Sequence, residues 1–461
     1  MRGPISGAVV CCLVLAAAPA FAQPDGIDPR VARLVGQVSD ERMAQTLARL
    51  AGFVTRNTLS SADQPATGIG AARQWILDEM ARSSPRLQVS FDAYQVPPQG
   101  RITRDLDIRN VVAVLPGRSP RRLYVSAHYD SLALARRASG AGTGTQGQAA
   151  QGQRPAAPGT GALAPASIDA PAPGVNDDGS GTAAVMEMAR VFAESGLEFD
   201  ATLVFLALAG EEQGLVGAKL HAQKAATDKI RIDAVLNNDM LGNVAGGNGV
   251  LDGESVRVFS EGPEDSPSRQ LARYVARVAP MYVPSHRIVL IARHDRFGRG
   301  GDHTAFNQNG FAGVRITEAN EHYGRQHTTD DTPDGVSMPY LLKNARVNAA
   351  VLASLALAPP APATTDERGQ PTLGRGPSGY DAALRWTEVP GAAGYRVYWR
   401  EAWGPDWQRA VFTGPITQFA LPDVSIDDFV FGVAAVGADG SESLVSAYVN
   451  PPRAESTVKT K

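Results

Sequence analysis

One stretch limits what this chain can become. Residues 202–214 read TLVFLALAGEEQG, seven uncharged and mostly apolar residues running through a small-residue turn into two adjacent glutamates. So short an uncharged run predicts a buried strand of a mostly parallel sheet. Ligands of open α/β sheets gather at the carboxyl edge of the strands, which is where Glu211 and Glu212 would stand. Two neighbouring carboxylates at such a place repel each other unless a cation or a proton holds them.

The pattern recurs along the chain. A strand over 122–127 runs into His128 and Asp130, one over 232–236 runs into Asp239, and one over 313–317 leads to a loop carrying His327. GVNDDGSGT at 174–182 is a turn that opens a helix and sets Asp177 at its start. Asp302 reads as the cap of another short helix. Helical spacing over 27–82, 215–224, 266–278 and 339–357, with further strands over 87–90, 110–115 and 286–291, supplies the packing.

Two segments interrupt this order. Residues 134–173 are Gly, Ala, Pro, Gln and Thr with hardly an aliphatic anchor, the composition of a flexible insertion. Residues 359–379 read as a Pro- and Ala-rich linker. Beyond it the period changes to two, which predicts a small β-sandwich over 380–453 and a tail at 454–461. The α/β domain therefore covers 23–358.

The first 22 residues have the form of a cleaved secretory segment: Arg2, an apolar run over 8–18, and Ala20-Phe21-Ala22. That run is too short to be a membrane span and no later one is apolar enough. The expected location is secreted or periplasmic. Cys11 and Cys12, the two cysteines of the 461-residue chain, leave with the segment. A metal in the mature chain is thus held by His and carboxylates alone. A net charge of −3 without a basic block excludes a nucleic-acid partner.

His128, Asp177, Glu212, Asp239 and His327 then form a candidate ligand set. Two imidazoles and three carboxylates suit zinc and related divalent ions. Two such ions carry +4, matched by three carboxylates and a bridging hydroxide, the balance of a paired site with ions about 3.5–4 Å apart. One carboxylate bridges, one His and one acid complete each ion, and Glu211 remains free as general base.

These blocks resemble the zinc aminopeptidases of the bacterial leucyl-aminopeptidase type, secreted di-zinc exopeptidases related to glutamate carboxypeptidase and glutaminyl cyclase. HYDS at 128–131, GVNDDGSGT at 174–182, AGEEQGLVG at 209–217, NNDMLGN at 237–243, DHTAF at 302–306 and HTTDDT at 327–332 carry the likeness, in the family's order. The resemblance implies a three-layer α/β/α zinc-exopeptidase fold with a mostly parallel mixed sheet. It implies two Zn2+ per chain, with Asp177 bridging, His128 and Asp239 on one ion, and Glu212 and His327 on the other. Asp130 would orient His128, and Glu211 would shuttle the proton. It also implies a cis peptide bond between Asp177 and Asp178.

The activity so implied is removal of amino-terminal residues, apolar ones, from peptides with a free amino end. A carboxypeptidase or dipeptidase would need a cationic pocket, for which Arg293, Arg315 and Arg325 are candidates. A non-catalytic binding protein on the same scaffold would lack ligands or base, and all six positions are filled. Gln326 stands where some relatives carry an oxyanion-stabilising Tyr, which leaves Tyr323 as an alternative donor; His294, His303 and His322 are candidate pocket residues, whereas His221 and His286 read as surface or packing. The carboxyl-terminal part resembles fibronectin type III, an immunoglobulin-like sandwich with Trp386 and Tyr395 in its core, and is expected to bind protein or a surface polymer.

Overall fold

The computed structural model describes residues 26–135, 164–165 and 167–449. The segment 1–22 with both cysteines, residues 136–163 and 166 of the insertion, and the tail 454–461 lie outside the described residues.

Alternation within the founding stretch decides the layering. Leu203, Phe205 and Ala207 are buried in one apolar cluster, and Val204, Leu206 and Leu208 in another. Successive strand residues leave on opposite faces, so a run with no polar position must be covered on both sides. Among the described residues the sheet has eight strands: β1 (Gln88–Val96), β2 (Leu106–Leu115), β3 (Arg122–His128), β4 (Thr202–Leu208), β5 (Ile232–Asn238), β6 (Ser255–Ser260), β7 (Arg287–Ile291) and β8 (Gly313–Glu318). Their spatial order is β1-β2-β4-β3-β5-β8-β6-β7. The four central strands β4, β3, β5 and β8 are parallel neighbours, while β1–β2, β2–β4 and β8–β6 pair antiparallel. β6 is not among the strands expected from sequence; its six residues are too few to separate alternation from chance.

The helices are α1 (Pro29–Gly36), α2 (Asp40–Ala51), α3 (Gly68–Ser83), α4 (Gly181–Glu194), α5 (Val216–Thr227), α6 (Pro267–Tyr282), α7 (Asp302–Gln308) and α8 (Met338–Leu357). Ala218, Ala222 and Ala225 of α5 with Ala305 and Phe306 of α7 pack on one face of the sheet, and the other six helices on the opposite face. The fold is the α/β/α arrangement expected. Side-chain caps fix several helix starts: Ser39 accepts from the Arg42 N–H and Ser266 from the Arg269 N–H, each at 3.2 Å.

After α8 the chain turns all-β, also as expected. β9 (Leu373–Arg375), β10 (Asp381–Arg385), β11 (Ala392–Glu401), β12 (Arg409–Gly414), β13 (Gln418–Ser425), β14 (Phe429–Gly437) and β15 (Ser446–Ala447) form antiparallel sheets ordered β9-β10-β13 and β12-β11-β14-β15. Trp386 and Tyr395 lie in the core these sheets share, ring centroids 5.4 Å apart. The region is fastened to α6 and the loop before it. Arg400 reaches both oxygens of Asp265 at 2.8 Å, Arg277 meets Glu442 at 3.0 Å, and Trp407 donates to Gln270 at 3.1 Å. No helix of the described residues is long and apolar enough to cross a membrane.

Candidate metal centre

The carboxyl ends of adjacent parallel strands open on one edge, and the candidate residues collect there. His128 ends β3, Glu212 follows β4, Asp239 follows β5, and His327 lies in the loop after β8. Asp177 arrives from the turn Val175–Ser180 that leads into α4. His128, Asp177 and Asp239 form one group able to hold a metal ion, and Asp177, Glu212 and His327 a second. Asp177 belongs to both. Its Oδ1 is 3.2 Å from His128 Nε2 and its Oδ2 3.1 Å from His327 Nε2. Asp239 Oδ1 lies 4.0 Å from His128 Nε2, and Glu212 Oε1 lies 3.2 Å from His327 Nε2.

These residues fit divalent cations. Glu212 Oε1 is buried without a hydrogen-bond partner despite its closeness to His327. Such atoms aim at a shared point rather than at each other. The electrostatics agree. Against the opposing effect of burial, Glu212 and Asp177 push the His327 imidazole up to about 11, and acids around His128 raise it well above its ordinary value. Burial, with Glu212 and Asp302 nearby, pushes the Glu211 carboxyl well above the usual carboxylate range. The cluster as folded therefore calls for positive charge.

Buried acids frame the ligands. Asp130 accepts the N–H groups of Glu211 and Glu212 at 3.1 and 3.2 Å and the Thr58 hydroxyl at 2.8 Å. His128 Nδ1 faces the Asp130 main-chain oxygen at 3.1 Å and its carboxylate at 3.6 Å. Thus Asp130 steadies the glutamate pair through its carboxylate and the imidazole chiefly through its backbone. Asp178 ties three elements together, accepting from the N–H groups of His128, Gly181 and Met240 at 3.2, 3.0 and 3.0 Å. Asp331 accepts the N–H groups of Asn176 and Asp177, each at 2.9 Å. The Asp177–Asp178 peptide bond is cis. Leu215, Met240 and His327 have positive φ without being Gly, a conformation that clusters at functional sites.

Arg315 is a correction. It was a candidate for a substrate pocket, yet it is fully buried, with Nε 3.2 Å from Asp239 and Nη1 2.9 Å from Asp295. Arg325 is engaged by Asp334 at 2.5 Å, and Arg293 lies over the Phe297 ring. Asp302 is the first residue of α7, not its cap, a place taken by Gly301; both Asp302 oxygens are buried without a partner. His303 is buried, its Nε2 2.6 Å from the His294 oxygen. His221 and His286 are packing residues, beside Asp92 and Asn344 respectively. Tyr323 is 65% exposed, and Gln326 donates to Asp177 Oδ2 at 2.8 Å.

A cleft of about 310 Å³ opens over the cluster. Glu211 lines it, as do Arg101, Arg296 and Arg299; among the described residues Leu215 is the one sizeable apolar side chain of its lining. Arg101 comes from the β1–β2 connection and donates to the Glu212 carbonyl at 2.7 Å. Sequence reading missed it, since nothing local links that loop to the glutamate pair.

Residues 110–352 match the model of peptidase family M28. A "probable zinc metalloprotease" of Pyricularia oryzae is 35% identical over 450 residues, 89% of this chain and 82% of the relative. One of Leptosphaeria maculans is 32% identical over 451 residues, 90% of this chain and 96% of the relative. Among solved structures, the Legionella pneumophila LapA aminopeptidase superposes with a TM-score of 0.52 at 20% identity, over 71% of this chain and 74% of that one. A Fimbriiglobus ruber glutaminyl cyclase superposes with a TM-score of 0.51 at 18% identity, over 68% and 95%. At such identities the likeness is one of fold.

Proposed function

Because this chain belongs to peptidase family M28 and relatives 32–35% identical are named probable zinc metalloproteases, we propose that it is a two-zinc exopeptidase acting on peptides with a free amino end. One observation carries the reading. The two oxygens of Asp177 divide between two imidazoles, at 3.2 Å from His128 and 3.1 Å from His327. A carboxylate so split is suited to bridging, with Asp239 completing one half and Glu212 the other.

Bound in these two groups, zinc would lower the pKa of water and polarise a carbonyl. The remaining work belongs to the chain. Glu211 stands free of the ligand groups at the cleft wall, its main chain held by Asp130. It would accept a proton from the attacking water and return it to the leaving amine. Asp130 fixes the turn that carries Glu211 and Glu212, and Asp331 fixes the turn that presents Asp177.

The first 22 residues have the pattern of a cleaved export segment, consistent with work outside the cytoplasm. The carboxyl-terminal sheets are read as a fibronectin type III-like accessory unit for a protein or surface polymer. They are docked on α6, and no strand of theirs lines the metal cleft.

The test is a panel of aminoacyl amides, their N-acetylated forms and carboxyl-end substrates, with zinc counted per chain by mass spectrometry. Cleavage confined to free amino ends with two zincs is the expected result. Turnover of blocked peptides alone, or full activity with one zinc, would overturn it.

A further inference from the structure

The expected apolar preference does not match the chemistry of the cleft, whose lining among the described residues holds three arginines and a single leucine, with Glu211 and Gln326 the other larger side chains outside the candidate ligand set. Two of these guanidinium groups are available. Arg101 is exposed on a loop built to hold it: Gln99 and Ile102 exchange main-chain hydrogen bonds at 2.9 and 2.8 Å, Ile102 is buried, and Arg104 donates to the Leu59 oxygen at 2.8 Å. Beyond the Glu212 carbonyl, Arg101 has no carboxylate partner among the described residues. A guanidinium has five N–H donors in a fork that matches a carboxylate.

Arg299 faces the cleft from a wall with surplus positive charge. Glu321 is shared by Arg257 at 2.9 Å, Arg296 at 2.8 Å and Arg299 at 3.6 Å. Asp295 is shared by Arg296 at 3.0 Å and Arg315 at 2.9 Å. Among the described residues four guanidinium groups thus meet Glu321 and Asp295, and two of them, Arg296 and Arg315, also reach Asp239 at 3.8 and 3.2 Å. Bound cations would answer the charge of the candidate ligands, Asp239 included, which leaves Arg101 and Arg299 to meet whatever enters. Arg299 keeps 34% of its side chain exposed and has the weakest hold on Glu321.

We propose that Arg101 and Arg299 select a substrate bearing a carboxylate next to the scissile bond, supplied by an acidic amino-terminal side chain or by the free carboxyl end of a dipeptide. This deepens the exopeptidase reading and rests on it. Charge-assisted pairing with a forked donor gives such a site both affinity and orientation.

The experiment uses the zinc-loaded full chain. Glutamyl and leucyl p-nitroanilides test the side-chain source; Leu-Gly and Leu-Gly-amide test the carboxyl-end source. Preference for the anionic member of either pair, carried mainly in KM, is expected. Arg101→Met with Arg299→Met should lower the anionic-to-neutral ratio of kcat/KM about tenfold or more, the worth of a lost hydrogen bond to a charged group. Arg299→Glu should reverse the preference. Binding of L-glutamate against L-glutamine, followed by calorimetry, supplies a readout without turnover. Equal use of anionic and neutral partners, or a preference that survives the double substitution, overturns this proposal and leaves the exopeptidase reading standing. Selective glutamate binding, lost in the double variant, in a protein that cleaves no peptide overturns the exopeptidase reading and keeps the anion site.

Discussion

Arg315, fully buried beneath the cleft, lies with Nε 3.2 Å from Asp239 Oδ2, and the other Asp239 oxygen turns toward His128. The guanidinium therefore aims a carboxylate of the candidate ligand set. Lys cannot reproduce the fork that also reaches Asp295. Arg315→Lys is expected to weaken one of the two proposed zinc sites by roughly 10- to 100-fold, the usual cost of losing an outer partner of a ligand. Stepwise chelator titration with zinc counting checks it; two sites of unchanged affinity would refute the orienting role.

Glu211 faces the cleft and belongs to neither ligand group. Glu211→Gln should lower kcat by roughly a hundred- to ten-thousandfold, the range of general acid–base catalysis. Zinc content should stay as in the parent. A variant that keeps its turnover, or that loses metal in step with activity, removes Glu211 from the base role.

His303 makes an acid limb of stability. Burial holds its imidazole down to about 4 from an ordinary 6.5. The unfolded chain takes this proton below its own pKa while the folded one does not. The contribution is therefore present above pH 6.5 and is lost as pH falls toward 4. The gap corresponds to about 3 kcal/mol over that window. Urea unfolding of parent and His303→Gln across pH 4–7 should give the parent the steeper decline. Parallel profiles would contradict it.

Arg400 is buried, and Asp265 receives it through both oxygens at 2.8 Å. Asp265→Ala leaves a buried cation uncompensated. The expected loss is about 3 kcal/mol, the low end for a broken buried pair, because Asp265 keeps 15% side-chain exposure. Calorimetry should then resolve two transitions where the parent has one. A single unshifted transition would mean that the contact contributes nothing to joining the regions.

What the amino-acid order determined is the local chemistry. An apolar run that stops at Glu211 and Glu212, the histidine and aspartates at other strand ends, and the change of period after residue 379 are short-range patterns. Burial of a strand on both faces is written in its own residues, and so is the ligand type placed at its end. Only the tertiary structure decided how those ends combine. The strand order β2-β4-β3-β5-β8 brings Asp177 within 3.2 Å of His128 and 3.1 Å of His327, residues 49 and 150 positions away in the chain. It also carried Arg315 inward onto Asp239 and left Arg101, from the β1–β2 connection, over the glutamate pair. Periodicity reports which face of an element is buried, whereas a salt bridge between distant elements depends on which strands become neighbours. That choice is made by packing the whole sheet, and no single stretch of the chain contains it.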